Sequence, residues 1–383
     1  MSVTAARGFT AAGIAAGIKQ NGGRDLALVV NTGPRSAAAG VFTANRVKAA
    51  PVQWSRQVLA DGEIRAVVLN SGGANACTGP QGWQDTRATA GRAAQRLGLN
   101  AADVAVCSTG LIGVPLPMDR LLAGVDRAAG RLSGAGGADA AVAVMTTDTV
   151  PKTAAVTRGG WTVGGMAKGA GMLAPGLATM LVVLTTDADL DSKVLDRALR
   201  DATRVTFDRV DSDGCMSTND TVLLLASGAS RLAPEYREFA EAVRTVCADL
   251  ARRLIADAEG ASKEIRIEVT GAASEDDAVE VGRCVARNNL LKCALHGEDP
   301  NWGRVLSAIG TTSAAFEPDR LNVAINGVWV CANGSVGEDR ALVDMTGREI
   351  RLTVDLAAGQ ASAVIWTNDL TAAYVHENSE YAS

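Results

Sequence analysis

The amino-acid sequence predicts an α/β or α+β fold with mixed sheets. Three observations point there. Short, uninterrupted apolar runs bounded by glycine or polar residues have the character of buried strands. Segments with helical composition alternate with them. The chain also has no internal repeat, low-complexity tract or long charged run, so neither a solenoid nor a disordered arm is expected.

The elements follow in order. Residues 26–30 (LALVV) and 66–69 (AVVL) are expected strands, since strands covered on both faces are apolar throughout. Residues 83–97 form an Ala- and Arg-rich helix that stops at Gly98. Residues 104–107 make another strand, which feeds the loop Ser108-Thr109-Gly110-Leu111-Ile112-Gly113. Helices are expected at 119–132 and 138–145, and the Gly-rich stretch 133–137 between them is the best candidate for a linker. Residues 180–184 (MLVVL) are a further buried strand, followed by a helix at 191–205, a strand at 222–226 and a long helix at 236–258. A strand at 265–270 and a helix at 276–288 come next, and strands at 323–325, 328–331 and 363–366 close the chain.

Composition narrows the function. With 383 residues, 47% hydrophobic and 21% charged, the chain can bury a large core as two domains or one α/β unit. A formal charge of −5 argues against nucleic acid or an anionic membrane as the main partner. No apolar run reaches the roughly 18 residues of a membrane span. Residues 9–18 faintly imitate a signal-peptide core, but they are rich in glycine and meet Lys19 directly, so a cytoplasmic protein is expected. Seven cysteines (Cys77, Cys107, Cys215, Cys247, Cys284, Cys293 and Cys331) are scattered without a C-x-x-C pair, and there are only two histidines. Buried free thiols in a reducing compartment are therefore expected, with no metal site.

The most informative segment is KGAGMLAPGLATML at 168–181, where a Gly/Pro loop meets the buried strand at Thr179. A threonine hydroxyl is essentially never ionised near neutral pH. If the preceding Ala178–Thr179 bond is cut, the new α-amino group, with a pKa of about 7.7–8.0, can serve as its base. Read by itself, the same threonine is ordinary β-branched filler before a strand. Other motifs fall away. The glycines at 164–171 lack the order of a phosphate loop, and no helix follows them as a dinucleotide fingerprint needs. No G-x-S-x-G elbow is present. With His296 and His376 the only histidines, a base must come from a terminal amine, a lysine or a carboxylate. His296 with Glu298 and Asp299 is read as a structural turn on Gly297 and Pro300. Residues 211–220 begin like a calcium loop but lack its spacing and terminal Glu, and so are read as a polar turn.

Four segments in order carry a family resemblance: NSGGANACTG at 70–79, MTTDTVPK at 145–152, the 168–181 segment, and EGASK at 259–263 with HGEDPNWGR at 296–304. From Gly8 to the last residue the chain resembles the ornithine acetyltransferase (glutamate N-acetyltransferase) family of arginine biosynthesis. The resemblance implies a two-domain, layered α-β-β-α sandwich that cuts itself into an α chain, 1–178, and a β chain, 179–383, interleaved and assembled as a heterotetramer of two of each. It implies that Thr179 carries acetyl from N2-acetyl-L-ornithine to L-glutamate without a cofactor, in a ping-pong reaction. Thr109 and Gly110 would stabilise the oxyanion. Thr146 (or its neighbour Thr147), Lys168, Thr179, Glu259, Asn378 and Ser383 would line the substrate pocket. Acetyl-CoA is open as a second donor. The alternatives are a self-processed aminopeptidase or amidase, in which water replaces glutamate, and a non-catalytic binding protein that is never cut.

Overall fold

The computed structural model describes residues 2–174 and 180–380, so Ala178, Thr179 and Ser383 lie outside the described residues. The chain folds into two compact units, Met1–Asp208 with Cys215–Leu254, and Arg209–Gly214 with Ile255–Ser383.

The first unit runs β1 (Phe9–Ile14), β2 (Leu26–Asn31), β3 (Ala38–Phe42), α1 (Ala50–Val58), β4 (Ala66–Ser71), α2 (Gly79–Leu97) and β5 (Val104–Thr109). It continues through α3 (Met118–Ala129), α4 (Gly137–Ala143), β6 (Lys152–Arg158), β7 (Trp161–Lys168), β8 (Leu181–Thr186), α5 (Ser192–Val205), β9 (Thr221–Ala226) and α6 (Tyr236–Ala256). Two mixed sheets result, ordered β1-β2-β4-β5 and β3-β9-β8-β7-β6. Their facing sides share one core, in which Leu28, Val67 and Val106 of one sheet join Val183, Leu223 and Leu225 of the other. On the outer side of the second sheet, α6 packs against Gly165, where a Cβ would lie 2.6 Å from Leu184 and 3.2 Å from Leu250 of that helix. The layering is α-β-β-α. Strands sandwiched in this way are apolar on both faces, which is why β2, β4, β8 and β9 are continuous hydrophobic runs.

Two strands escape that pattern for one reason. β1 and β7 carry glycines where another backbone or side chain comes too close for a Cβ. A Cβ on Gly13 would lie 2.0 Å from the Asp139 carbonyl oxygen, and one on Gly164 would lie 2.4 Å from the Ser2 carbonyl oxygen. The segment resembling a signal core thus begins as a buried strand at the edge of its sheet, and the glycines at 164–165 belong to β7. The expected linker at 133–137 is also corrected. It lies inside the first unit, where Ser133 exchanges backbone hydrogen bonds with Ala11 of β1 at 3.0 Å in both directions.

The second unit holds β10 (Glu264–Ala272), α7 (Glu275–Ala286), α8 (Asn289–His296), α9 (Trp302–Ile309), β11 (Asn322–Ile325), β12 (Val328–Ala332), β13 (Ser335–Val336), β14 (Glu349–Asp355), β15 (Ala361–Asn368) and α10 (Ala372–Glu380). Its sheet is ordered β13-β12-β11-β14-β10-β15. Here the strands alternate. Ile265, Ile267 and Val269 of β10 join the core with Val281 and Val285 of α7, while Arg266 and Glu268 pair with each other away from it. Ser274 caps α7 by accepting from the Asp277 N–H at 3.1 Å, and three acidic residues occupy the first turn, where the helix dipole favours them.

Helical glycines give a paired test. A Cβ on Gly282 of α7 would lie 2.5 Å from Cγ1 of the fully buried Ile365, whereas one on Gly91 of α2 meets nothing within 4 Å. Overpacking costs about 1–3 kcal/mol and replacing helical Gly with Ala returns about 1 kcal/mol. Gly282→Ala should therefore lower the thermal midpoint followed by circular dichroism, and Gly91→Ala should raise it.

Candidate active site

Strand β5 ends at Thr109, and the chain turns at Gly110 with φ +130°. A Cβ at Gly110 would meet the Gly73 backbone nitrogen at 2.5 Å, so only glycine lets these two segments touch. The Gly72 and Gly73 N–H groups both donate to the Thr109 carbonyl, at 2.9 and 3.0 Å. Beneath them Ser108 Oγ donates to Asn70 Oδ1 at 2.6 Å, and Asn70 Nδ2 donates to the Gly73 carbonyl at 3.0 Å. Asn219 Nδ2 donates both to the Ala74 carbonyl at 2.6 Å and to the Ser108 carbonyl at 2.8 Å. The glycine-rich 70–74 segment is therefore a clamp around the Thr109–Gly110 turn.

Lys168, the last residue of β7, is 1% exposed and donates from Nζ to Thr109 Oγ1 at 3.2 Å. A hydroxyl that accepts from an ammonium keeps its own O–H to donate elsewhere. Asp148 supplies the counter-charge. Its Oδ1 accepts from Lys152 Nζ at 2.6 Å and from the Gly169 N–H at 2.7 Å, and its Oδ2 accepts from the Thr146 N–H at 3.0 Å. Burial alone would push the Asp148 carboxyl up, but the Lys168 and Lys152 charges and the Gly169 N–H outweigh it and hold the group at about 2.

Asp220 lies on the other side of the segment that leads into β8. Its Oδ1 accepts from the Met180 N–H at 3.1 Å, while Oδ2 is buried with no partner among the described residues. Burial raises its pKa well above the usual carboxylate value, against the pull of the Met180 and Ser217 hydrogen bonds and of Lys168.

The expected residues are thus distributed. Thr109, Gly110, Thr146 and Lys168 lie in the first unit, with Thr109 in contact with Lys168 and Thr146 tied to the same carboxylate network. Thr147, the rival of Thr146, is half-buried like it. Glu259 and Asn378 lie in the second unit, where Asn378 Nδ2 donates to Glu259 Oε2 at 2.9 Å. Gly260 makes this possible, because a Cβ there would lie 2.2 Å from the Tyr374 nitrogen of α10. Asp148, Asn219 and Asp220 were not among the expected site residues. The 211–220 stretch does form a polar turn, but its carboxylates are engaged separately: Asp211 accepts from Arg287 Nε at 2.7 Å, and Asp220 takes the Met180 N–H. His296 ends α8 and holds Asp369 at 2.9 Å, which fits its structural reading. The expectation of buried thiols holds for Cys107, Cys247 and Cys331. It fails for Cys77, Cys215 and Cys293, which are exposed in polar, loop-flanking or helical surface positions.

A lysine-backed hydroxyl beside a glycine turn in a layered α/β protein has the chemistry to hold a developing oxyanion, which is what acyl transfer requires. A family model described as the ArgJ family matches residues 10–383. The arginine biosynthesis bifunctional protein ArgJ of Streptomyces coelicolor is 77% identical over 383 residues, covering all of both chains. The protein of that name from Thermobifida fusca is 64% identical over the same full span. A crystal structure of ornithine acetyltransferase complexed with ornithine, from Mycobacterium tuberculosis, is 60% identical, covers 47% of this chain and 96% of its own, and has a TM-score of 0.45. The chain belongs to the ArgJ family. Among the described residues, no helix is long and apolar enough to cross a membrane.

The Asp148 network carries an acid signature. Removing one partner of a buried ion pair costs about 3–5 kcal/mol, so Asp148→Asn should lower stability by that order at pH 7. A depressed carboxylate pKa stabilises the fold above its unfolded value, here 3.8, and that contribution is lost as pH falls towards about 2. In urea titrations the gap between wild type and Asp148→Asn should accordingly narrow between those two pH values.

Proposed function

We propose that this enzyme moves the acetyl group of N2-acetyl-L-ornithine to L-glutamate, after cutting itself between Ala178 and Thr179. The family match over residues 10–383 carries this reading, and the Lys168–Thr109 contact supports its chemistry. The freed α-amine of Thr179 takes the proton of its own hydroxyl as the oxygen attacks the acetyl carbonyl. The Thr109 hydroxyl and the Gly110 N–H stabilise the resulting oxyanion. The ornithine amine leaves with a proton, and an acetyl-threonine ester remains. The glutamate amine then attacks that ester, the amine proton passes back, and N-acetylglutamate departs.

Lys168, Thr146, Glu259, Asn378 and Ser383 are the groups we assign to substrate recognition. Lys168 suits a carboxylate and Glu259 suits an ammonium. No cofactor is required by this scheme, and acetyl-CoA is a candidate second acetyl donor. We propose a cytoplasmic enzyme, since residues 9–18 make a poor signal core, and, from the family resemblance, a heterotetramer of two 1–178 and two 179–383 chains.

Freshly purified protein should run on a denaturing gel as two fragments ending and starting at 178 and 179. Thr179→Ala should remain one chain and release no ornithine from acetylornithine plus glutamate. A cut, active alanine variant would show that another residue attacks. Loss of one oxyanion donor lowers rates by about 10²–10³, so Thr109→Ala should reduce turnover by that factor once the chain is cut. Hydrolysis of acetylornithine without glutamate, as fast as transfer, would favour the amidase alternative. Supplying acetyl-CoA as the only donor decides whether the enzyme also makes N-acetylglutamate from it.

A further inference from the structure

The second unit carries a partly open cavity of about 180 Å³ between the start of α8, the turn after α6 and the start of α10. Its lining mixes charges of both signs: Arg287 and Lys292 as cations, Asp213 and Glu259 as anions, with Asn289 and Tyr374 between them. Most of these groups are already engaged. Lys292 donates to the Ser212 carbonyl and to Thr367 Oγ1, and burial lowers its pKa to about 8. Glu259 is bound by Asn378 at 2.9 Å. Asp369, at the cavity wall, is taken up by Ser262 and His296. Arg287 differs. Its Nε is fixed on the fully buried Asp211 at 2.7 Å, and its two terminal nitrogens have no hydrogen-bond partner among the described residues.

We propose that Arg287 is the specificity residue that receives the side-chain carboxylate of the acetyl acceptor in this cavity, whose lining it shares with Glu259. The inference rests on the acetylornithine-to-glutamate reading above and deepens it. A ping-pong enzyme admits its donor and its acceptor in turn to one pocket. The two amino acids share the same α-substituents, and each carries a charge on the third side-chain carbon, an ammonium in ornithine and a carboxylate in glutamate. A pocket lined only by Glu259 would hold the first and repel the second. A guanidinium held at its Nε, with its fork open, offers two parallel donors that match a carboxylate. The cavity is several times the roughly 30 Å³ that one water takes up, which leaves room for the end of a short side chain.

The two half-reactions separate the roles. The acetyl-enzyme is made from acetylornithine, desalted, and its decay followed by intact mass with glutamate or with the uncharged analogue glutamine. Wild type should decay faster with glutamate. Arg287→Ala should acquire acetyl from acetylornithine as wild type does yet lose about 10- to 100-fold of its preference for glutamate, the worth of one hydrogen-bonded charge. Asn289→Asp leaves the Arg287–Asp211 pair intact and puts an anion in the first turn of α8, where it favours the helix. It should also erode the preference, and it serves as the probe if the alanine variant does not fold. Unchanged discrimination between glutamate and glutamine in the folded variants overturns the assignment. A wild-type protein that forms no acetyl-enzyme from acetylornithine sinks the functional reading instead, whatever the variants do.

Discussion

The first unit is organised around one electrostatic constraint. Lys152 and Lys168 bring two ammonium groups into the interior on neighbouring strands, at 0% and 1% exposure. Desolvating each costs several kcal/mol, which only a hydrogen-bonded counter-ion can offset. Asp148 is that counter-ion, and the geometry of the site follows from its position. By accepting from the Gly169 and Thr146 N–H groups it fixes the ends of two loops, and its charge holds Lys168 where Nζ reaches Thr109. The glycine clamp at 70–74 fixes Thr109 from the other direction. The hydroxyl is thus set by two networks that share no residue, and a change in either displaces it.

The two units solve burial differently, and this decided how well each could be read. In the first, both faces of each sheet are covered, so apolar runs such as LALVV at 26–30 mark strands without ambiguity. In the second, one face is covered, and β14 alternates buried and exposed residues along EIRLTVD. Such a short alternating run passes for a loop, and β14 was not foreseen. Glycine-bearing strands were equally hidden. β1 and β7 have weak strand propensity because their glycines answer to neighbours distant in the chain, α4 for Gly13 and the N-terminal segment for Gly164.

The site was legible to the same limit. Lys168 stood out because it falls in a motif whose order along the chain is itself informative, and Thr109 and Gly110 because a strand runs into a Ser-Thr-Gly loop where the family resemblance expects an oxyanion site. Glu259 and Asn378, 119 positions apart, could be named from the family resemblance but not paired, since only the turn at Gly260 brings α10 against that segment. Asp148 was passed over because an aspartate among threonines before a proline looks like a solvated turn. Nothing local announces that two buried lysines will converge on it. Asp220 was hidden inside a stretch that imitates a calcium loop, and its burial beside Met180 depends on β8 and β9 pairing in parallel.

The pairing of β7 with β8 has a thermodynamic consequence of its own. Lys168 and Leu181 face each other in the antiparallel ladder, so both ends of the connection between them are stitched into the same sheet. A nick anywhere in that connection leaves the ladder intact, and the pieces stay together without a covalent bond. Their unfolding, however, becomes a dissociation. The folded state would then depend on the concentration of both pieces, and a chain once unfolded would regain its sheet by meeting a partner in solution rather than by closing a short loop. A nicked protein of this kind persists through slow opening more than through equilibrium reversibility.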